Sequence, residues 1–246
     1  RSKYIILNMR KKYFGNKEAQ ILPKKQVSYI VDVLNNYEIN YQDKTYRYLE
    51  NNSFNYLKHN RHMVTLTTFG KKYLMFFTKI SHNKVCIFIN KRDGMFLSVN
   101  INAPDSLYNN TLIDGQFLKD YENNWTFCVF DILIHKGNYL ERANLEERIV
   151  MAKDVFDNDL KNNTSICKFI VTQYFDYKYI TDMIENYEKT LDYKCSGLLF
   201  RNYNMKTKDL LYIYLENRTK KSVPIDVIRT RTDTRDTRDT RDTRDT

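Results

Sequence analysis

The strongest constraint on the fold is a succession of short runs rich in β-branched and aromatic residues, with few helical segments between them. They are Met63–Thr67, Tyr73–Ile80, Val85–Ile89, Met95–Val99, Asp114–Leu118, Trp125–Ile134, Ile166–Tyr174, Gly197–Tyr203 and Leu210–Leu215. Such runs read as strands. Val85 to Val99 reads as a hairpin turning at Arg92-Asp93-Gly94, because Asp-Gly supplies the positive φ angles of a tight turn. Helical period appears in Val27, Ile30, Val31 and Leu34 behind Pro23. It recurs in Leu145, Ile149, Ala152, Val155 and Phe156, where Asn144 and Glu147 have capping-box spacing. A third stripe is Ile180, Met183, Ile184, Tyr187 and Leu191. Strands that do not alternate regularly with helices predict an α+β fold with antiparallel sheets, not a doubly wound parallel one.

Charge narrows the function classes. The 246 residues carry a formal charge of +10. Residues 229–246 hold six Arg and five Asp in a Thr-Arg-Asp repeat, so 1–228 carries +9. The repeat has no apolar residue to bury, which predicts two parts: a domain over 1–228 and a low-complexity tail over 229–246. A basic body suits RNA or other phosphates. Cys86, Cys128, Cys167 and Cys195 are far apart, which predicts neither a zinc site nor a disulfide framework. His59 and His62 lack a second ligand pair and read as a solvated loop before a strand. With no signal-peptide pattern and no apolar run of about 20 residues, the chain reads as neither secreted nor membrane-bound.

An ordered set of segments goes further. These are Val64–Leu74, Ile87–Lys91, Leu112-Ile113-Asp114-Gly115-Gln116-Phe117, Val129-Phe130-Asp131-Ile132-Leu133 and Ser196-Gly197-Leu198-Leu199-Phe200. Together, and with Glu18–Pro23 upstream, they resemble the nucleotidyltransferase domain of mRNA capping guanylyltransferases, kin of ATP-dependent DNA ligases. The resemblance covers roughly residues 14–228 and is closest to capping enzymes of large DNA viruses. It implies an ATP-grasp-like domain with two antiparallel-rich sheets flanked by helices around a cleft. The lid that the family carries after its last motif, an OB domain, is not recognised here: Pro224–Val227 resembles the end of the nucleotidyltransferase domain.

The resemblance also implies what has been lost. In the family's K-x-D-G-x-R motif, lysine attacks the α-phosphate of GTP and becomes lysyl-GMP. Thr67 stands at the lysine position, Phe69 at the aspartate, and Gly70 is kept, with Lys72 at the arginine. A threonine hydroxyl without a paired base is a poor nucleophile. The family's I-D-R reads Ile89-Asn90-Lys91, its D-G-E ends in Gln116, and Ser196 replaces the acid of E-G-L-x-F. Glutamine cannot bind Mg²⁺ as a carboxylate. The last strand carries Tyr212 and Tyr214 where two lysines one residue apart are expected, while Lys220 and Lys221 are adjacent and would point to opposite faces.

The nucleotide-pocket positions are therefore Thr67, Gly70, Lys72, Asn90, Lys91, Gln116, Ser196, Tyr212 and Tyr214, with no catalytic residue and no metal ligand expected. Thr67, Lys72, Gln116 and Tyr212 are expected to converge on the cleft. An alternative nucleophile is Lys91, in a literal Lys91-Arg92-Asp93-Gly94. The family places a hairpin between nucleophile and D-G-E aspartate; Thr67 to Asp114 contains one, and Lys91 to Asp114 does not. Read as part of a turn, Lys91 is expected to be solvated. The resulting expectation is a degenerate guanylyltransferase-like domain serving as an RNA-binding or architectural part of a capping system. No cofactor is expected, or GTP and Mg²⁺ if the domain is active through Lys91 or another lysine; a further alternative is a protein-interaction module alone. RNA, an RNA-processing complex and other protein subunits are the expected partners, in the cytoplasm, a virion or a viral factory.

Overall fold

A computed structural model describes residues 12–42, 46–50, 53–205 and 208–214. The Thr-Arg-Asp tail, the domain end at 228, Leu215, Lys220, Lys221 and Pro224–Val227 lie outside the described residues.

The larger sheet has the order β1 (Lys12–Phe14), β2 (Lys17–Ile21), β7 (Phe96–Val99), β6 (Asn83–Asn90), β5 (Lys71–Ile80), β8 (Thr111–Lys119), β9 (Trp125–His135) and β10 (Asn138–Tyr139). A further strand, β11 (Lys168–Val171), pairs with β9 in parallel; the other pairings in this sheet are antiparallel. The smaller sheet runs β3 (Tyr46–Tyr48), β13 (Asp209–Ile213), β12 (Cys195–Asn202) and β4 (His62–Thr68), antiparallel except for β3 on β13. The fold is α+β with antiparallel-rich sheets.

Strand alternation divides the core. On β5, Tyr73, Met75 and Phe77 face one cluster with Ala152 of α3 (Leu145–Asp154). Leu74 and Phe76 face another with Ile30 and Leu34 of α1 (Lys24–Asn36). A third cluster seats the smaller sheet on Cys128 and Phe130 of β9, with Leu57 of α2 (Ser53–His59) and Ile180 and Met183 of α4 (Ile180–Glu185). Lys72 shares the α1-side face with Leu74 and Phe76, and Asp114 and Gln116 share it with Leu112, because all are two residues apart along their strands. α1 covers one part of that face, and the smaller sheet approaches the other.

Several local expectations are met. Asn144 and Glu147 form a reciprocal capping box at 2.8 and 3.0 Å. The β6–β7 hairpin turns at Gly94, whose φ is +69°. Others are corrected. The third helical stripe breaks at Asn186; α4 ends at Glu185, Tyr187–Thr190 is a 3₁₀ turn, and Leu191 is extended. Asn is a weak helix former, and the Asn186 side chain turns back to donate to Asp182 Oδ1 at 2.6 Å. The Ile166–Tyr174 strand contracts to Lys168–Val171. His59 and His62 do not share a solvated loop: His59 ends α2, and His62 begins β4 with only 2% exposure. Its ring pairs with the Asn60 carbonyl at 2.7 Å.

Candidate functional site

The end of β4, the start of β5, the middle of β8 and the start of β12 meet where the two sheets approach. Within the smaller sheet, Gly197 lets β12 lie close against β13: a Cβ there would lie 1.9 Å from the Tyr212 carbonyl oxygen. In register, Thr67 faces Gly197, and Lys72 faces Gln116.

One Gln116 side chain holds the two sheets together. Its Nε2 donates to Thr67 Oγ1 at 3.2 Å. Its Oε1 accepts from Thr68 Oγ1 at 2.6 Å and from the Thr68 backbone N–H at 3.1 Å. Thr68 Oγ1 accepts from the Gly70 N–H at 2.9 Å, and Ser196 Oγ donates to the Thr68 carbonyl at 2.9 Å. Thus Thr67, Gly70, Gln116 and Ser196 fall in one buried polar cluster whose hydrogen-bonding groups satisfy one another.

Beside it lies a charged cluster. Arg201 of β12 donates from Nη2 to Asp114 Oδ2 at 3.0 Å and from Nε to Asp209 Oδ2 at 3.1 Å. Its Nη1 lies 3.2 Å from Asp131 Oδ2. Arg148 of α3 grips Asp131 bidentately at 2.8 and 3.0 Å. Lys91 Nζ lies 3.7 Å from Asp114 Oδ1, with only 10% of its side chain exposed. The expectation of a solvated Lys91 is therefore corrected: the turn carries its side chain back over β8, where the carboxylate compensates for its desolvation.

Lys72 completes the crevice. Its ammonium sits 3.5 Å from the centre of the Tyr46 ring and makes no ion pair among the described residues. Burial, helped by the positive charges of Lys91 and Arg201, lowers its pKa to about 8 against the opposing pull of Asp114. At Asp114, burial would raise the carboxyl pKa, but Lys91 and Arg201 together hold it below its ordinary value. The crevice is lined by Tyr46, Lys72, Lys91, Asp114, Gln116 and Arg201, among others, and encloses ≈ 20 Å³. That is room for about one water.

The remaining predicted positions lie apart. Asn90 supports the hairpin turn, its Oδ1 accepting from the Arg92 N–H at 2.9 Å and its Nδ2 donating to Asp93 Oδ2 at 3.1 Å. Tyr212 packs in the core of the smaller sheet and does not line the crevice. The Tyr214 hydroxyl donates to Glu188 Oε2 at 2.8 Å. Sequence reasoning did not single out Tyr46, Arg148, Arg201 or Asp209 for this site. The available signal was a charge inside an apolar strand: Arg201 interrupts the Gly197–Tyr203 run, whereas Asp209 only borders the Leu210–Leu215 run.

Residues 47–211 match the family described as mRNA capping enzyme, catalytic domain. The chain belongs to that family. The matched stretch runs from within β3 to within β13 and contains the crevice residues named above except Tyr46. Among solved structures, a Naegleria gruberi RNA ligase variant with AMP and Mn is 15% identical, covering 86% of this chain and 62% of its own, with a TM-score of 0.43. The same organism's RNA ligase with PPi is 13% identical over 86% of this chain and 61% of that one, also with a TM-score of 0.43. Pmar-Lig_PreS3 is 12% identical over 78% and 51%, with a TM-score of 0.42. The chain thus spans between about half and three-fifths of the length of these proteins. Among the described residues, no helix is long and apolar enough to cross a membrane.

Proposed function

We propose that this capping-family domain forms no covalent guanylyl intermediate and serves a capping system by binding rather than by chemistry. The observation that carries this reading is the filled crevice. With ≈ 20 Å³ of space, it is lined by groups already engaged with one another. Thr67, at the nucleophile position, is buried, its hydroxyl held by Gln116. Among the described residues, no base is hydrogen-bonded to that hydroxyl, so Thr67 lacks the activation that a hydroxyl nucleophile needs.

The second reading, an active enzyme using Lys91, has one observation in its favour: Lys91 lines the crevice. Its pairing with Asp114 counts against it, because an ammonium committed to a carboxylate has no lone pair to attack phosphorus. GTP and Mg²⁺ belong to that second reading. The residues fit the metal poorly: Gln116 and Ser196 stand where carboxylates would be, and Asp114, Asp131 and Asp209 already serve arginine or lysine.

RNA is the partner favoured by the +9 carried by residues 1–228. Such binding weakens steeply with salt as counterions return to the phosphates. The domain division at 228 and the cytoplasmic or viral setting remain part of this proposal. Incubation with radiolabelled GTP and Mg²⁺, followed by a denaturing gel, tests the reading. No labelled protein is expected; a labelled band that Lys91→Ala removes would establish the alternative.

A further inference from the structure

Three carboxylates from three strands converge on one guanidinium. Asp114 of β8, Asp131 of β9 and Asp209 of β13 lie 3.0, 3.2 and 3.1 Å from separate nitrogens of Arg201. All four side chains are at least 87% buried, their exposures being 7% for Arg201 and 13, 3 and 9% for the aspartates. Arg148 and Lys91 supply two more positive charges to Asp131 and Asp114. Three negative charges thus meet three positive ones. Lys72 is the fourth cation, and its lowered pKa agrees with a cluster already neutralised without it.

A carboxylate triad of this kind, stripped of its central cation, has the oxygen donors that Mg²⁺ or Mn²⁺ take. From the convergence of all three on Arg201, we infer that its guanidinium is a fixed internal cation standing in for a divalent metal. The domain is therefore metal-independent, and removing the guanidinium converts Asp114, Asp131 and Asp209 into a divalent-cation site. The inference rests on the non-catalytic reading but is tested without nucleotide. Arginine suits the role because its planar fork holds several oxygens at once, and its charge persists when buried. It also joins three strands to β12, which an ion held by the three aspartates alone would not do.

The test is thermal melting of the whole chain in EDTA, Mg²⁺ or Mn²⁺, with no GTP. Wild-type protein should melt at one temperature in all three. Arg201→Met should melt lower in EDTA and regain at least about 2 °C in Mn²⁺. The triple variant Arg201→Met, Asp114→Asn, Asp209→Asn removes two of the donors and, with them, the one negative charge that Arg201→Met leaves uncompensated. It should fold without metal and lose the Mn²⁺ response, which keeps the test decisive if Arg201→Met is recovered only with metal. A wild-type melting point that rises with Mg²⁺ or Mn²⁺ would overturn the inference. So would an Arg201→Met protein indifferent to Mn²⁺, or a triple variant that still responds. None of these results depends on whether the wild type forms a GMP adduct.

Discussion

Gln116 and Thr67 are hydrogen-bonded to each other at 3.2 Å across the two sheets. The resemblance gives one of these positions to a carboxylate that serves the ribose or a metal, and the other to the nucleophile. Here each supplies the other's hydrogen bond, and the glutamine oxygen also caps Thr68. The pair acts as an inter-sheet fastening.

That fastening predicts a stability cost. Gln116→Leu keeps the volume but leaves the Thr68 N–H and two buried threonine hydroxyls short of a partner. The expected loss is about 1–3 kcal/mol by urea denaturation, the usual penalty for an orphaned buried polar group. A loss below about 0.5 kcal/mol would show that water replaces the amide at once.

Lys72 gives a pH signature. Its pKa is lowered to about 8 in the folded chain, against an unfolded value near 10.5. Between those values the unfolded chain binds more protons, so this group's contribution makes stability rise with pH and fall again as pH drops through about 8. Buried tyrosines also titrate at alkaline pH, so the informative quantity is the stability difference between wild type and Lys72→Met. It should move in favour of the wild type by up to about 3 kcal/mol from pH 8 to pH 10.5. A difference that stays flat over that window would mean the amine is solvated.

Gly197 is predicted to tolerate no side chain. The 1.9 Å approach of a Cβ to the Tyr212 carbonyl is to backbone, which a rotamer change cannot relieve. Gly197→Ala should separate β12 from β13 and cost about 3 kcal/mol or more, beyond the usual range for overpacking. Hydrogen exchange on both strands would report it; unchanged protection would contradict the close approach.

Much of the scaffold was readable in the sequence because its cause is local. The β5–β9 strands announce themselves by β-branched and aromatic runs, the β6–β7 turn by Asp93-Gly94, and α3 by Asn144 and Glu147. The short β3 and α2 were not readable. Tyr46–Tyr48 is too brief to show alternation, and Ser53–His59 has no apolar stripe of useful length. The charged cluster was hidden for a different reason: Asp114 and Arg201 are 87 residues apart, and no local pattern announces such a pair. Lys91 shows the same limit. Its turn was legible, but the direction in which the turn throws the side chain depends on β8 lying one strand away, beyond β5.

Restoring the lysine alone should not restore chemistry. On the proposed non-catalytic reading, Thr67→Lys would place an amine against Gln116 while Phe69, Gln116 and Ser196 still stand where the resemblance expects acids. Groups that act as a unit are not recovered singly. No GMP adduct is expected by mass spectrometry of the intact Thr67→Lys protein; a stoichiometric adduct would show that the rest of the site is competent.

Calorimetric titration of the wild-type chain with GTP and Mg²⁺ tests the filled crevice most directly. A site with ≈ 20 Å³ of space and its polar groups mutually satisfied should give no saturable heat up to about millimolar GTP, the weak end of the affinity range. Stoichiometric binding at about micromolar affinity would contradict it, and would require the Gln116–Thr67 and Arg201–Asp114 contacts to open for nucleotide.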